Sequence, residues 1–447
     1  MDLVKRFSID NQTFSDLNIF TDSNGAKTVY DLFKQTRTVA ARKRLKEMME
    51  NPSNDLQEIV DRRDVIRYFQ DNAVEIDIKN EEVDLIEFYL TNKARPFKNN
   101  PLDGIADYIT RKPGADYYHI KTGLRYLLQL TKFLSKFIDE HEAQAPKYLC
   151  SIFHQLKAIV DTGVLAEAAR LDEKKLSYLN VCRLDRAIRG KEKENIKLLL
   201  KLIYELDIFE NVALVALAKQ FSFPVYSPQF EMKLNIKGLF HPLISNPVKN
   251  DVHFDQVQNI VFLTGSNMAG KSSLLKSLGL IVYLSHLGFP VPADEAETTV
   301  FNGLVTTINL PDNINIGLSH YYSEVKRVKD VAEMLLENNK MFVVFDELFR
   351  GTNVKDAFDG SSLIISELSG IKNSAFVIST HIVELADELQ SFVNISFRYL
   401  ETYFENRKPV FSYQLKNGIS KEALGMYIVR NEGIVELLQQ AATNSKS

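Results

Sequence analysis

Apolar residues recur at helical spacing through much of the first half of the chain. Two stripes have the three- and four-residue spacing that places side chains on one face of a helix. They are Leu127, Leu130, Leu134 and Phe137, and Ile196, Leu199, Ile203 and Leu206. No proline lies between Pro146 and Pro224, so long uninterrupted helices fit this interval. The pattern predicts a mainly α-helical region with these stripes packed in its core.

The pattern changes near residues 223–228, where short apolar runs begin to alternate with helical segments. Three runs are continuously apolar, as expected of strands buried on both faces of a sheet. They are Asn259–Thr264, Met341–Asp346 and Ala375–Thr380. Phe392–Tyr399 and Val410–Leu415 alternate enough to favour an antiparallel pair, and Ser420–Ala442 has the pattern of closing helices. We therefore expect a mainly α-helical domain over residues 1–222 and an α/β domain over residues 223–447.

Composition is that of an ordinary folded protein, with 45% hydrophobic and 25% charged residues among 447. The two cysteines, Cys150 and Cys182, provide neither a disulfide framework nor a cysteine pair at zinc-binding spacing. The most apolar stretch, Leu278–Phe289, is shorter than the ~20 residues that a membrane-spanning helix needs. The first residues, MDLVKRFSI, lack the apolar stretch of a signal peptide. We expect a cytoplasmic protein without a membrane segment.

The charge is divided unevenly along the chain. Residues 240–447 contain 17 Lys and Arg against 23 Asp and Glu, whereas the whole chain has 54 against 58. The first part is therefore mildly basic and the second part acidic. A strong footprint for nucleic acid would be a clearly basic domain. Charge alone leaves the partner open.

The strongest chemical signal is the segment Gly265–Ser272, which reads GSNMAGKS. It matches the pattern GxxxxGK[ST] between an apolar strand and a helix that we expect to begin near Ser273. Its glycines let backbone N–H groups surround a phosphate, and the helix N-terminus adds partial positive charge. Lys271 then reaches the β- and γ-phosphates, and Ser272 offers a hydroxyl to Mg²⁺. The expected nucleotide contacts are Gly265, Ser266, Asn267, Met268, Ala269, Gly270, Lys271, Ser272 and Ser273.

Two further strand ends carry candidate catalytic residues. Asp346 and Glu347 follow one another at the end of an apolar strand, about seventy residues beyond the loop. There Asp346 can hold the Mg²⁺ shell while Glu347 orients and polarises the attacking water. His381 follows the strand that ends at Thr380 and could contact the γ-phosphate or that water. A single histidine after a strand is more often a solvated residue, so only its place beside the other strand favours a role.

Several runs occur in a fixed order: TGSNMAGKSS, then VPA at residues 291–293, then SHYYSEV with Ser319 and Glu324, then DELFRGTN and STHIVEL. They resemble the ATPase domain of the MutS family of DNA mismatch repair proteins. The corresponding family patterns are close to TGPNMGGKST, VPA, STFMVEM, DELGRGTS and a TH followed by EL. The resemblance is good over residues 200–445 and weak over residues 28–72.

The resemblance implies a P-loop NTPase domain of the ABC-ATPase type, preceded by a mainly α-helical core and lever domain. It implies ATP and Mg²⁺ as cofactors, with Glu347, His381 and Lys271 in catalysis and Ser272 and Asp346 at the metal. It also implies a homodimer, in which Ser319 reaches the γ-phosphate bound by the partner and Asn353 lies near the interface. ATP hydrolysis would then be coupled to DNA binding in mismatch repair or a related repair or recombination process.

The chain also departs from the family. It shows no counterpart of the mismatch-reading domain, and Pro247 stands where the family often has an aromatic residue that stacks on adenine. We therefore expect weak, salt-dependent duplex binding with little preference for a mismatch. The candidate contacts are Lys93, Arg95, Lys98, Arg111 and Lys112. For each of them a solvated surface position is the more common role.

Two other functions remain open at this point. One is a nucleotide-gated interaction protein that grips a protein or branched DNA without recognising mismatches, which the missing mismatch-reading domain favours. The other is an unrelated P-loop kinase of small molecules. A kinase would need an arginine-rich lid and would explain neither SHYYSEV nor STHIVEL. Whether the helical region offers a basic groove wide enough for duplex DNA would separate DNA binding from protein binding.

Overall fold

The structure is a computed structural model, and its chain forms two compact units. We call Met1–Val29, Pro52–Leu56 and Lys219–Ser447 the sheet unit, and Tyr30–Asn51 and Gln57–Ala218 the helical unit. The residues that the structure describes are 6–21, 25–93, 115–228, 231–266, 268–308, 320–405, 408–420 and 431–444.

The N-terminal residues group with the sheet unit rather than with the helices that follow them, where the sequence analysis had placed them. Helix α1 (Asn11–Asp16) begins at a cap in which the Asp10 side chain accepts a hydrogen bond from the backbone N–H of Thr13. Ser8, just before it, exchanges backbone hydrogen bonds with residues 302 and 304 of the later sequence. The domain boundary between residues 222 and 223 stays a prediction. The two compact units do not follow it, because residues 1–29 and 52–56 belong to the sheet unit.

Helices of the helical unit run along most of its length, as the apolar stripes predict. Their bounds are α2 Val29–Phe33, α3 Val39–Glu50, α4 Leu56–Asp71, α5 Asn80–Thr91, α6 Ala115–His141, α7 Lys147–Val160, α8 Gly163–Ala168, α9 Tyr178–Arg189 and α10 Lys193–Lys219. The two predicted stripes lie on α6 and α10, and all their residues are buried. Buried Asp207 of α10 accepts hydrogen bonds from the backbone N–H groups of Arg37 and Thr38, each at 2.9 Å, and so anchors the start of α3.

The strands of the described sheet unit lie in two sheets. Their bounds are β1 Val225–Tyr226, β2 Leu234–Leu239, β3 Asn250–Phe254, β4 Ile260–Thr264, β5 Glu295–Thr298, β6 Gly303–Thr307, β7 Met341–Asp346, β8 Ala375–Thr380, β9 Ile395–Glu405 and β10 Lys408–Asn417. The larger sheet has the order β10-β9-β4-β8-β7-β6, and the smaller one has the order β1-β5-β2-β3. The protein therefore has an α/β fold with mixed sheets and many helices.

The larger sheet is parallel from β9 to β6, and only its edge strand β10 is antiparallel to its neighbour. This confirms the three continuous apolar runs as neighbouring parallel strands β4, β8 and β7, each buried along nearly its whole length. It also confirms the antiparallel pair near the end, although β9 begins at Ile395, three residues later than expected, and continues to Glu405. Because the carboxyl ends of parallel strands meet at one edge, the residues after β4, β7 and β8 converge there.

The helices of the sheet unit after α10 are α11 Lys271–His286, α12 His320–Glu337, α13 Val354–Leu368, α14 Leu385–Leu389 and α15 Ile434–Asn444. The apolar stretch Leu278–Phe289 begins inside α11, which is buried almost all around. That burial accounts for its composition. Among the described residues, no helix is long and apolar enough to cross a membrane. Of the predicted closing helices, α15 is observed, and residues 421–430 lie outside the described part.

Candidate active site

The predicted phosphate loop connects β4 to α11 at the carboxyl edge of the larger sheet. Two of its residues need the conformational freedom of glycine, because Gly265 has φ 141° and Gly270 has φ 93°. Gly270 also lies against the Tyr413 ring, since an added Cβ would come within 3.0 Å of it. Gly270 is the N-cap of α11, so the helix begins at Lys271 rather than near Ser273 as we expected.

Lys271 folds back over the loop instead of extending into solvent. Its Nζ donates a hydrogen bond to the Gly265 carbonyl oxygen at 2.7 Å and lies 3.6 Å from Glu347 Oε1. The side chain is only 2% exposed. Burial lowers the pKa of Lys271, while the nearby carboxylates of Glu347 and Asp346 act in the opposite direction. A phosphate in the loop would give this ammonium group a further negative partner.

Asp346 lies at the end of β7 and accepts hydrogen bonds from two serines on neighbouring elements. Ser272 Oγ, at the start of α11, donates to Asp346 Oδ2 at 2.8 Å. Ser379 Oγ of β8 donates to Asp346 Oδ1. A hydroxyl and a carboxylate are hard oxygen donors, which Mg²⁺ prefers. In the described residues no three His, Cys, Asp or Glu side chains cluster as a metal cage. Mg²⁺ usually takes one or two carboxylates plus substrate phosphates and water.

Glu347 follows Asp346 in a left-handed backbone conformation, with φ 58°. Its backbone N–H donates to the Ser379 carbonyl oxygen at 3.0 Å, which fixes the start of the loop after β7. The side chain is 10% exposed, and its Oε2 lies 3.7 Å from both His381 Nδ1 and the Arg350 guanidinium. His381 is 57% exposed. The structure therefore brings Lys271, Glu347 and His381 together, although only the first two are largely buried.

A cavity of about 500 Å³ lies beside the loop. Five expected contacts line it: Met268, Ala269, Gly270, Ser272 and Ser273. On its other walls are Pro247, His241 and Tyr413. Burial lowers the pKa of His241 to about 4, so this imidazole is neutral near pH 7. The Ser266 hydroxyl at the loop's base is buried, and within the described residues it has no hydrogen-bond partner.

Tyr413 is the functional candidate that the sequence analysis missed. It lies at an irregularity of the β9–β10 pair, with φ 56°. Asn250 of β3 holds this irregularity: its Nδ2 donates to the Tyr413 carbonyl oxygen at 3.0 Å, and its Oδ1 accepts from Leu415 N at 2.7 Å. Tyr413 is 46% exposed and lines the cavity. An aromatic residue thus flanks the loop although Pro247 is not aromatic.

Other predicted residues lie elsewhere or outside the described part. Asn353 caps α13 by accepting from Asp356 N at 3.0 Å and donating to Asp356 Oδ2 at 2.7 Å, and it is exposed to solvent. Its side chain therefore serves the helix in this single chain. Among the DNA candidates, Lys93 is exposed. The predicted residues that fall outside the described part are Asn267, Ser319, Arg95, Lys98, Arg111 and Lys112.

Comparison with known proteins supports the resemblance. Residues 261–447 match the family model for MutS domain V. The DNA mismatch repair protein MutS of Thermotoga petrophila is 29% identical over 322 residues, which cover 69% of this chain and 39% of that protein. MutS of Petrotoga mobilis is 23% identical over an alignment of 541 residues, covering 99% of this chain and 66% of that protein.

MutS of Bacillus cereus is 29% identical over 257 residues, covering 56% of this chain and 28% of that protein. The chain thus spans between about a quarter and two thirds of the length of these curated relatives. The matched region contains the loop, Asp346, Glu347 and His381. Residues 261–447 therefore match MutS domain V, and these similarities support a MutS-family protein.

Proposed function

We propose that this protein is a Mg²⁺-dependent ATPase of the P-loop, ABC-like type, whose nucleotide cycle controls its binding to DNA. One observation carries the proposal. The hydrogen bond between Ser272 and Asp346 joins the phosphate loop to the end of β7, and it leaves Lys271 and Glu347 3.6 Å apart beside it. A nucleotide loop, an oxygen pair suited to Mg²⁺ and a second carboxylate thus meet at one sheet edge.

Nucleotide binding would use the loop and the cavity together. Backbone N–H groups of residues 265–272 would donate to phosphate oxygens, and Lys271 would exchange the Gly265 carbonyl for the β- and γ-phosphates. The buried Ser266 hydroxyl is a further donor. The cavity lies in the ~300–1,000 Å³ range of small-molecule sites, and Tyr413 offers a ring face to a base there.

Hydrolysis would be carried by the residues that follow β7 and β8. Mg²⁺ bound by Ser272 and Asp346 would offset negative charge on the phosphates. Glu347 is positioned to accept a hydrogen bond from the attacking water and to take its proton. His381, at 3.7 Å from Glu347 and more than half exposed, can contact the same water or the departing phosphate. Lys271 keeps its charge beside the phosphates throughout.

DNA binding and dimer formation are also proposals. The names of the matched relatives support DNA binding, and the resemblance to the MutS family implies the dimer. The helical part of the chain, residues 1–222, would act as the core and lever domain that responds to the nucleotide. The dimer would form through the surface that carries Ser319, with Asn353 near it. Grip on DNA would come mainly from phosphate contacts, which are salt-dependent and largely indifferent to sequence.

The proposal is tested by ATP hydrolysis measured with no DNA, homoduplex, mismatched duplex and four-way junction DNA. We expect Mg²⁺-dependent hydrolysis that DNA changes several-fold. In anisotropy titrations, duplex binding should weaken steeply between low and physiological salt, with no more than a few-fold preference for a mismatch. Absence of Mg²⁺-dependent hydrolysis overturns the ATPase proposal. A salt-insensitive affinity overturns the account of DNA contact, and a response to junction DNA alone supports the alternative of a branched-DNA gripping protein.

The proposed dimer has its own test. Glu347→Gln protein in Mg²⁺ and ATP should sediment as a dimer, because the bound nucleotide persists. Ser319→Arg in the same background should sediment as a monomer, since a bulky cation would occupy the shared surface. A monomer under all nucleotide conditions contradicts this part of the proposal.

A further inference from the structure

A segment near the N-terminus runs along the outer edge of the larger sheet. We call residues 7–18 the strap. Ser8 N donates to the Asn302 carbonyl oxygen at 2.8 Å, and Leu304 N donates to the Ser8 carbonyl oxygen at 2.9 Å, so Ser8 extends the sheet beyond β6 as a parallel bridge. Edge strands leave backbone groups unpaired, and the strap supplies partners for those of β6.

Side chains of α1 hold the carboxyl end of β6. Thr13 Oγ1 accepts from Thr306 N at 3.0 Å. Asp16 Oδ2 accepts from both Thr306 Oγ1 and Ile308 N at 2.8 Å. Asp16 is only 1% exposed, so these hydrogen bonds are shielded from water. The strap therefore fixes where β6 ends and where Ile308 leaves the sheet.

The strap also holds helix α12 through a charge pair. Asp10 Oδ2 accepts from Arg327, which is 8% exposed and also donates to the Thr306 carbonyl oxygen at 2.6 Å. Burial raises the pKa of Asp10, but the hydrogen bonds from Arg327 and Thr13 outweigh it, so the pKa lies below its usual value. Arg327 thus ties the strap, β6 and α12 into one hydrogen-bonded group.

The same helix reaches the loop that carries Glu347. Glu324 lies one turn before Arg327 on α12, is 5% exposed, and its Oε2 accepts from Gly351 N at 3.2 Å. A narrow cleft lies between the end of β6, helix α12 and the loop after β7, and Ile308, Glu324 and Glu347 all line it. The strap therefore holds two walls of this cleft, and Glu347 lies on another.

We propose that the strap positions the Glu347 loop for catalysis, with Asp16 and Asp10 as positioning residues that act through β6 and through Arg327 and Glu324. The loop needs such support, because Glu347 and Phe349 both have positive φ, at 58° and 61°. The inference rests on the proposed ATPase function only for its effect on turnover. Its structural part concerns the order of the loop itself.

The kinetic test compares Asp16→Ala, Asp16→Asn and Asp10→Asn with the control Asp255→Ala. Asp255 also caps backbone N–H groups of a turn in the sheet unit, at 2.7 Å and 2.6 Å, but it does not line the cleft. We expect kcat to fall about tenfold for Asp16→Ala while the KM for ATP changes less than about twofold, because a small misplacement of a catalytic group mainly lowers kcat. Asp16→Asn, which keeps an acceptor oxygen, should recover part of kcat.

In a Glu347→Gln background, Asp16→Ala should cause no further loss of residual turnover, because the strap acts through Glu347. An equal fall in the control, a matching rise of KM, or additive losses in the double variant would refute positioning.

Hydrogen exchange tests the structural part without relying on activity. Amides of residues 348–351 should exchange several-fold faster in Asp16→Ala and Asp10→Asn, and those of residues 265–271 should exchange as in the wild type. The Asp255→Ala control should leave residues 348–351 unchanged. Unchanged exchange at Gly351 in both strap variants overturns the inference. If the wild-type chain hydrolyses no ATP, the proposed function fails, and the exchange result still decides the role of the strap.

Discussion

Replacing Lys271 by Met should abolish tight ATP binding while leaving the fold intact. Lys271 is 2% exposed, so a Met of similar length and apolar character fits the same space. Burial already lowers the pKa of this lysine, so the fold gains little from keeping an ammonium group there. The loop glycines and the Ser272–Asp346 hydrogen bond do not depend on it.

The size of the effect follows from the position of Nζ. An ammonium group about 4 Å from a phosphate charge gains roughly 4 kcal/mol at an effective dielectric constant of about 20. Binding must give up the 2.7 Å hydrogen bond to Gly265 and some attraction to Glu347 at 3.6 Å. A net loss of about 3 kcal/mol in the variant corresponds to a Kd weaker by a factor of roughly 150.

Titration calorimetry with ATP and Mg²⁺ measures this directly on wild type, Lys271→Met and a control. Lys329→Met is a suitable control, because Lys329 lies on α12, is 73% exposed and pairs with Glu333 at the surface. The control should bind ATP like the wild type. A Kd for Lys271→Met within threefold of wild type, or an equal loss in Lys329→Met, refutes the assignment of the phosphate loop.

Three further predictions concern Gly270 and Ser272 at the start of α11 and His286 at its end. Gly270→Ala should lower the free energy of unfolding by about 1–2 kcal/mol and weaken ATP binding. The reasons are that φ of Gly270 is 93° and that the new methyl group would lie 3.0 Å from the Tyr413 ring. An unchanged free energy of unfolding in urea would contradict this prediction. Ser272→Ala should weaken binding of Mg²⁺–ATP about tenfold and binding of metal-free ATP much less. Calorimetry in Mg²⁺ and in EDTA measures the two affinities. Equal losses of affinity would show that Ser272 does not bind the metal. Burial lowers the pKa of His286 to about 4, whereas the unfolded value is near 6.5. As the pH falls, the unfolded chain therefore binds the proton first. The free energy of unfolding then decreases between pH 6.5 and 4 by up to about 1.4 kcal/mol per pH unit. His286→Gln should reduce that slope in urea unfolding at pH 7 and pH 5, and an unchanged slope would assign the pH dependence to other groups.

Strands buried on both faces were the most predictable part of the fold. Met341–Asp346 and Ala375–Thr380 are strands with the bounds that the apolar runs predict, because nearly every side chain in them is buried. Parallel strands end at one edge of the sheet, and this brings Ser272 into contact with Asp346 and Lys271 close to Glu347. Local sequence was sufficient there because the motif specifies both conformation and chemistry.

Features that depend on distant contacts were not predictable. Tyr413 faces the loop because Asn250 holds an irregularity in β10, and nothing in its own neighbourhood of the sequence indicates a positive φ. The strap pairs with β6, which lies almost three hundred residues later in the chain. Nothing in the sequence around Thr13 and Asp16 indicates that these polar side chains are buried against β6. Asn353 was expected near the dimer interface, and in this chain it caps α13, a position that asparagine strongly prefers.

Phosphate release from ATP by Glu347→Gln protein tests the central claim most directly. The amide keeps the size of the side chain but cannot take a proton from water. We predict that the variant binds Mg²⁺–ATP with near wild-type affinity in calorimetry and loses most of its turnover, both alone and with duplex DNA. Wild-type rates of phosphate release in Glu347→Gln would contradict the account, because the general base would then lie elsewhere.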